Sequence, residues 1–505
     1  MQIGIDLGSS NSLASILTTD GTPVLVPDVH NNNINFTHSK ILIEDNNAYV
    51  GDFANKVYER YPNKQLITNF KRSFGTNQVI TKLNDEPLFS ESMAAILLKK
   101  IKYDIEVQSA QSVRSCVITS PAHFNDSQRK SIIESARLAG LEVSAILDEP
   151  IAAALFYTSQ SNNINDELIM IYDLGGGTFD LTIMTYAQNK LHIIAKDGIT
   201  KLGGKEFDNI VLLKIQDIYM SNFGEYIPNN HINNNRLSEI SERIKVRLSC
   251  ESIPVVQESF YINNKFLTLY FSTDEFRVSA EGLISETEKS VNRTLKSLGM
   301  NLSDISKFVL IGGASNSKIV YDFWNKKIDG KKQKIIYHQP LASIAKGAAL
   351  YAASLTPANG FEFVSSFSLN NVSGYNVALK DPASGKLEKV IDKNLPLPIK
   401  VVKTIKVDQS LSQGIEMVLC QYIGADSDID ELGKIQIKHL KHKPSFYFIE
   451  IIIENKIDGT LGVNVKDPDN KQNIPFTFEK NKSGEKNSFE LQKSLVDSLN
   501  INAIP

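Results

Sequence analysis

A chain of 505 residues with 42% apolar and 22% charged side chains has the size and texture of roughly two to four folded domains with large cores. Its 54 basic and 57 acidic side chains leave a net charge of −3, which argues against a nucleic-acid partner. Cys116, Cys250 and Cys420 lie far apart without metal-ligand spacing and are expected to be reduced thiols packed as small core residues.

Residues 1–6 are expected to form a strand, with no basic start or apolar stretch of a signal peptide before it. No uninterrupted apolar run reaches the length of a membrane span, so no membrane role is expected. The expected location is the cytoplasm, with export to another compartment or host left open. Up to about residue 355, strands alternate with long helical patterns, the mark of an α/β domain. Residues 168–172 and 307–311 are short buried-strand runs ending in Asp or Gly turns. Asn125 caps a helical repeat over residues 127–139 that stops at Gly140. The Asn-rich tracts 31–33 and 229–235 read as loops. After Thr356-Pro357-Ala358-Asn359-Gly360 the texture changes to short runs rich in Val, Ile, Phe and Tyr, at 415–423, 433–440, 445–454 and 460–466. Turn residues separate them, which predicts a small all-β domain. A single helical pattern, 488–499, follows.

Within the α/β region, Gly4-Ile5-Asp6-Leu7-Gly8-Ser9-Ser10-Asn11-Ser12 is a buried strand delivering a carboxylate, then a tight turn with exposed hydroxyls and N–H groups. Such a turn makes an anion-binding nest, and Asp6 would hold Mg²⁺, most simply through water. Taken alone, an ordinary strand-turn-strand fits the segment equally well. The second segment, Asp173-Leu174-Gly175-Gly176-Gly177-Thr178-Phe179-Asp180, is stronger. Each glycine there costs about 0.5–1 kcal/mol relative to alanine, so something must require bare backbone. A polyphosphate against the turn supplies that requirement. Leu202-Gly203-Gly204 and Ile311-Gly312-Gly313-Ala314-Ser315 are further diglycine turns. The strand–Asp-Leu-Gly–hairpin pattern at 3–17 recurs at 169–184, as two homologous halves around one cleft would produce.

These segments, with Ser120-Pro121-Ala122-His123-Phe124-Asn125-Asp126 and Asp148-Glu149-Pro150-Ile151-Ala152-Ala153-Ala154, closely resemble the DnaK-type, seventy-kilodalton heat-shock molecular chaperones. The resemblance implies an α/β actin-like ATPase domain of duplicated ribonuclease-H-like halves over residues 1–355. A linker at 356–366, an all-β sandwich gripping extended apolar peptides at 367–482, and a shortened helical lid at 483–505 would follow. It implies ATP or ADP with Mg²⁺, and K⁺ as a further cation. Gly8, Ser9, Ser10 and Asn11 match the first phosphate loop, and Gly175, Gly176 and Gly177 the second. Gly203, Gly204, Gly312, Gly313, Ala314 and Ser315 match the remaining nucleotide contacts. Lys71 matches the lysine on the γ-phosphate, Glu149 the carboxylate that orients water, and Asp173 and Thr178 the groups around that water. Asp6 and Asp173 would serve the metal. Glu242, Lys245 and Ser249, spaced to share one helix face, would hold ribose and adenine. Pro121 and Arg129 match a pair that couples the nucleotide to the second domain. Ile415 and Met417 align with apolar peptide-pocket residues, while sandwich core explains them as simply.

Three departures stand out. Asn316 takes the place of an arginine stacked on adenine, removing about 1–2 kcal/mol of contact. Gly360-Phe361-Glu362-Phe363-Val364 replaces a leucine-rich linker, and Ser144-Ala145-Ile146-Leu147-Asp148 alters positions that engage J-domain co-chaperones. The short helical end and the short segment from Gly75 to Ser90 are similar to the compact HscC-like branch. The favoured expectation is a monomeric ATP-dependent chaperone for unfolded polypeptide, served by a nucleotide exchange factor. A nucleotide-gated adaptor with one partner, and a small-metabolite kinase on the same fold, are the alternatives.

Overall fold

The computed structural model describes residue 1 and residues 3–160, 167–187, 190–249, 253–328, 330, 333–337, 342–355, 368–408, 414–424, 429–438, 445–480 and 489–502. The linker segment Gly360 to Val364, the rest of 356–366, and Cys250 lie outside the described residues. Cys116 and Cys420 are buried and free.

Two sheets of the same design build the α/β part. In the first, Ile3–Asp6 lies between the parallel strand Ser115–Ser120 and its own antiparallel hairpin partner Asn11–Leu17. Glu142–Asp148 and Pro23–Leu25 extend the two sides. In the second, Glu167–Leu174 lies between the parallel strand Lys307–Ile311 and its hairpin partner Phe179–Ala187. Lys334–Tyr337, Lys190–Ile199 and Ser368–Asn370 complete it. The recurrence seen in the sequence at 3–17 and 169–184 is thus a structural repeat. Between their ends, over Ile3–Ile5 and Leu168–Tyr172, the central strands carry no charge because helices cover both faces of the sheets. Helices Glu149–Ser159 and Ser343–Ser354 run between the sheets, and Ile151, Ala154, Ile171, Val309 and Ala348, all fully buried, form the seam joining the halves.

The β part is a sandwich. A five-stranded sheet ordered Leu387–Ile391, Asn376–Lys380, Ile415–Tyr422, Asp430–Ile437, Thr477–Lys480 faces a three-stranded sheet of Ile399–Asp408, Phe446–Asn455 and Leu461–Lys466. Alternate residues of both, among them Val377, Leu419, Ile435, Ile449 and Ile451, fill the core between them. The architecture is therefore an actin-like α/β domain followed by an all-β sandwich, with a short C-terminal helix.

Two local expectations are revised. The tract 229–235 is not a loop throughout: Asn230 caps the helix His231–Leu248, its side chain accepting from the Asn233 N–H at 2.9 Å. Asparagine is a strong N-cap, and Leu237, Ile240 and Ile244 supply the buried stripe that carries the helix onward. The C-terminal helix Phe489–Asp497 does not lie over the sandwich. It packs on the first lobe of the α/β domain, where Leu495, Val496 and Leu499 enter the core, and Asn500–Ile501 then adds a parallel strand to Asn47–Val50. Among the described residues no helix is long and apolar enough to cross a membrane.

Candidate nucleotide site and its link to the sandwich

Each central strand ends at the cleft and delivers one carboxylate there. Asp6 emerges from Ile3–Asp6, and Asp173 from Glu167–Leu174. The first turn is braced by Ser12 and Ser39: the Gly8 N–H donates to Ser12 Oγ at 3.1 Å, and Ser39 Oγ donates to the Gly8 carbonyl at 2.8 Å. In the second turn the Gly175 N–H reaches the Thr178 carbonyl at 3.0 Å. The 203–205 segment stacks backbone on backbone against the second turn, the Gly204 N–H donating to the Gly175 carbonyl at 2.9 Å, and the first turn meets the second through the side chains of Ser9 and Ser10. A Cβ on Gly203 would lie 2.6 Å from the Gly177 nitrogen and 2.7 Å from that of Thr178, so no other residue fits there. Gly312, at φ 82°, is likewise obligatory, since a side chain would meet Asp173 Oδ1 at 2.4 Å.

Together these segments enclose a cavity of about 380 Å³. Asp6, Gly8, Ser9, Ser10, Asn11, Lys71, Glu149, Asp173, Gly175, Gly176, Thr178 and Gly204 line one end. Glu242, Lys245, Ser249, Gly312, Gly313 and Ala314 line the other, with Asn316, Phe207 and Ile344. Three of the residues assigned from sequence stand behind the wall. Gly177 sits against Arg72 and Ser9, and Gly203 backs the second turn. Ser315 is fully buried and accepts from the Leu174 N–H at 3.2 Å, so its hydroxyl braces a turn and does not face the cavity. Glu242, Lys245 and Ser249 do share one face; Lys245 also pairs with Asp208 at 2.8 Å.

Four carboxylates, Asp6, Glu149, Asp173 and Asp180, are buried around one ammonium. Lys71 Nζ donates to Glu149 Oε1 at 2.9 Å and to the Leu7 carbonyl at 2.5 Å. One positive charge cannot balance four negative ones in so dry a site. Burial, then the neighbouring charge of Glu149, raises the Asp6 carboxyl to about 7. Burial likewise raises Glu149, against the opposing pull of Lys71, and raises Asp173 well above the carboxylate range with Glu149, Asp180 and Asp6 adding to it. Among the described residues Asp173 Oδ2 and Asp180 Oδ2 have no hydrogen-bond partner. Orphaned carboxylate oxygens in a cluster short of positive charge fit a hard divalent cation such as Mg²⁺.

Sequence reasoning missed three participants. Asp180 is paired with Asp173 across the hairpin, a register implied by a turn bounded by aspartates. Arg72 closes the cleft by reaching Glu206 at 3.2 Å and the Gly177 carbonyl at 3.0 Å, a long-range contact with no sequence signal. His123 pairs with Asp180 at 2.8 Å.

The sandwich docks beside this cluster. Arg129 Nη2 meets Asp148 Oδ1 at 2.8 Å, while its Nη1 donates to the Asp458 carbonyl of the sandwich at 3.0 Å. It also donates to the carbonyls of Phe124 at 3.0 Å, Ala122 at 3.2 Å and Pro121 at 3.5 Å. Asp148 also binds Lys196, whose Nζ donates to the Val372 carbonyl at 3.1 Å. Asp126 joins in, its N–H donating to Gln421 Oε1 at 2.9 Å and its Oδ1 accepting from the Leu461 N–H at 2.8 Å. Ile415 and Met417 lie away from the cleft, half-buried at the margin of the sandwich core.

Duplicated halves, facing glycine turns and a buried carboxylate–lysine cluster define an actin-like ATPase domain joined to a β-sandwich. A family model described as Hsp70 protein matches residues 2–499, and the chain belongs to the Hsp70 family. Members are nucleotide-dependent chaperones that bind ATP or ADP with Mg²⁺ and take unfolded polypeptides as substrates.

Proposed function

We propose that this chain hydrolyses ATP to ADP and phosphate and uses the nucleotide to set the affinity of its sandwich for extended apolar polypeptide. The observation that carries this reading is Arg129, which holds Asp148 in the ATPase domain and the Asp458 carbonyl in the sandwich at once. Asp148 immediately precedes Glu149, so a shift at the hydrolytic carboxylate reaches the docked domain through one ion pair.

The stacked turns present backbone N–H groups to the phosphates, and Lys71 balances charge on the transferred phosphoryl group. Glu149 orients a water whose oxygen bonds to the γ-phosphorus as the bond to the β–γ bridging oxygen breaks; that oxygen leaves on ADP with the electron pair, and the water's protons stay on the phosphate or pass to solvent. Asp6 and Asp173 would hold Mg²⁺, which when bound neutralises negative charge on the phosphate oxygens. Lys71 holds Glu149 in place, and Arg72 with Glu206 keeps the cleft shut over the turns.

Steady-state ATP turnover of the full chain, measured with and without an unfolded apolar peptide, tests the reading. Stimulation by peptide is expected. Turnover indifferent to every peptide favours the nucleotide-gated adaptor, and phosphate transfer to a small metabolite favours the kinase.

A further inference from the structure

Away from the nucleotide cleft, the segment that follows Pro23–Leu25 meets the helix Ser90–Ser109. Asp28 and His30 come from the segment and Asp104 from the helix. Each offers one ligand atom, and the three atoms lie within 4.8 Å of one another. Asp28 is 2% and Asp104 3% exposed, and His30 is half-buried. Lys100, one helical turn before Asp104, lies between the two carboxyl groups: its Nζ donates to Asp28 Oδ1 and to Asp104 Oδ2, each at 2.5 Å. The His30 N–H donates to the same Asp28 oxygen at 3.0 Å, and Tyr103 stacks on the imidazole with 5.6 Å between ring centroids. The ring is therefore held beside the carboxyl groups from its backbone and from one face.

Two features separate this cluster from a closed ion triad. Lys100 brings one positive charge to two carboxyl groups in a dry place, where charge has to be matched. Among the described residues, moreover, Asp104 Oδ1 and His30 Nδ1 are buried and have no hydrogen-bond partner. Both can present a lone pair inward: a carboxylate oxygen only accepts, and so does Nδ1 when the ring proton sits on Nε2.

We propose that Asp28, His30 and Asp104 bind a divalent transition-metal ion of the zinc type. One imidazole and two carboxylates suit Zn²⁺, whereas Mg²⁺ takes oxygen ligands alone. A tetrahedral Zn²⁺ about 2.0–2.2 Å from each donor holds the donors about 3.4 Å apart, so small side-chain rotations close the site and leave the fourth position to water. Lys100 keeps its bonds to Asp28 Oδ1 and Asp104 Oδ2, which leaves the other oxygen of each carboxylate for the ion and fixes its orientation. The ion ties the helix to a segment that runs on into Thr37–His38 and Ser39, the strand and hydroxyl that brace the first phosphate turn. The site takes no part in the nucleotide chemistry proposed above and stands independently of it.

The test titrates Zn²⁺ into the full chain by calorimetry, with excess Mg²⁺ present to occupy the carboxylates of the cleft, and repeats it with His30→Ala and Asp104→Asn. The parent is expected to take up one equivalent of Zn²⁺ and to unfold at a higher temperature with it. Each variant should bind that equivalent about tenfold or more weakly. Removing a half-buried ring with an unpartnered nitrogen should leave the zinc-free melting temperature of His30→Ala close to that of the parent, so this variant remains informative if Asp104→Asn does not fold. No uptake by the parent overturns the proposal and marks the cluster as an ion triad complete in itself. Uptake that His30→Ala weakens less than about tenfold overturns it as well, because the zinc then sits elsewhere.

Discussion

Lys71 is buried among carboxylates, and its ammonium touches both Glu149 and the carbonyl of Leu7. Removing it deletes charge where the transferred phosphoryl group develops it, so Lys71→Met should slow single-turnover hydrolysis by roughly 10²–10³-fold. Equilibrium binding of ATP, held chiefly by backbone N–H groups, should change far less. The Asp6 carboxyl gives a pH dependence of definite sign. With its affinity for protons raised to about 7 in the cation-free protein, Mg²⁺ must displace a proton whenever the pH is lower. Mg²⁺ affinity, followed by calorimetry, is therefore expected to fall as the pH drops from 8 to 6, and the fall should be shallower in Asp6→Asn, where only the raised Asp173 carboxyl still has a proton to give up. Most of this site was legible because its groups sit in two short turns where glycine and aspartate have few other reasons to cluster. Ser315 was misplaced because a diglycine turn does not say which following side chain faces the cavity. His123 and Arg72 were invisible because their partners, Asp180 and Glu206, lie 57 and 134 residues away.

Among the elements, the C-terminal helix was legible and its docking was not. Apolar residues at helical spacing announce a buried face, but any apolar surface satisfies the pattern. The structure buries Val496 completely in the core of the first lobe. Phe489 lies under Arg137, and Gln492 Nε2 donates to the Pro87 carbonyl at 2.9 Å. Asn502 then accepts from the Val50 N–H at 2.8 Å. The tail is thus a working part of the ATPase domain, and Val496→Asp, which buries an unpaired carboxylate, should cost that lobe about 3 kcal/mol or more. Hydrogen exchange at the Val50 amide, slow in the parent, should accelerate together with that of the neighbouring strand Lys40–Glu44. Protection unchanged in the variant would mean that the tail merely rests on the surface.

Across the whole molecule, the repeat of the two halves could be read from the recurring strand–Asp-Leu-Gly–hairpin motif, and the change to β texture after residue 356 from hydrophobic period. For the contact between the domains the family resemblance singled out Arg129, but its partners could not be read, because polar side chains on two surfaces give no sign of which will meet. That contact centres on Arg129, Asp148 and Lys196 and on the sandwich turn at Asp458. Arg129→Ala leaves Asp148 buried with one cation instead of two and breaks the bond to the sandwich, so it should uncouple the domains. Peptide stimulation of turnover is expected to vanish while ATP is still bound.

The most direct measurement is the affinity of the full chain for a fluorescent extended apolar peptide, by anisotropy, with ATP and with ADP. The site and its ion-pair link to the sandwich predict binding at least tenfold weaker with ATP than with ADP, and a difference abolished in Arg129→Ala. Equal affinity in the two nucleotides would contradict the account.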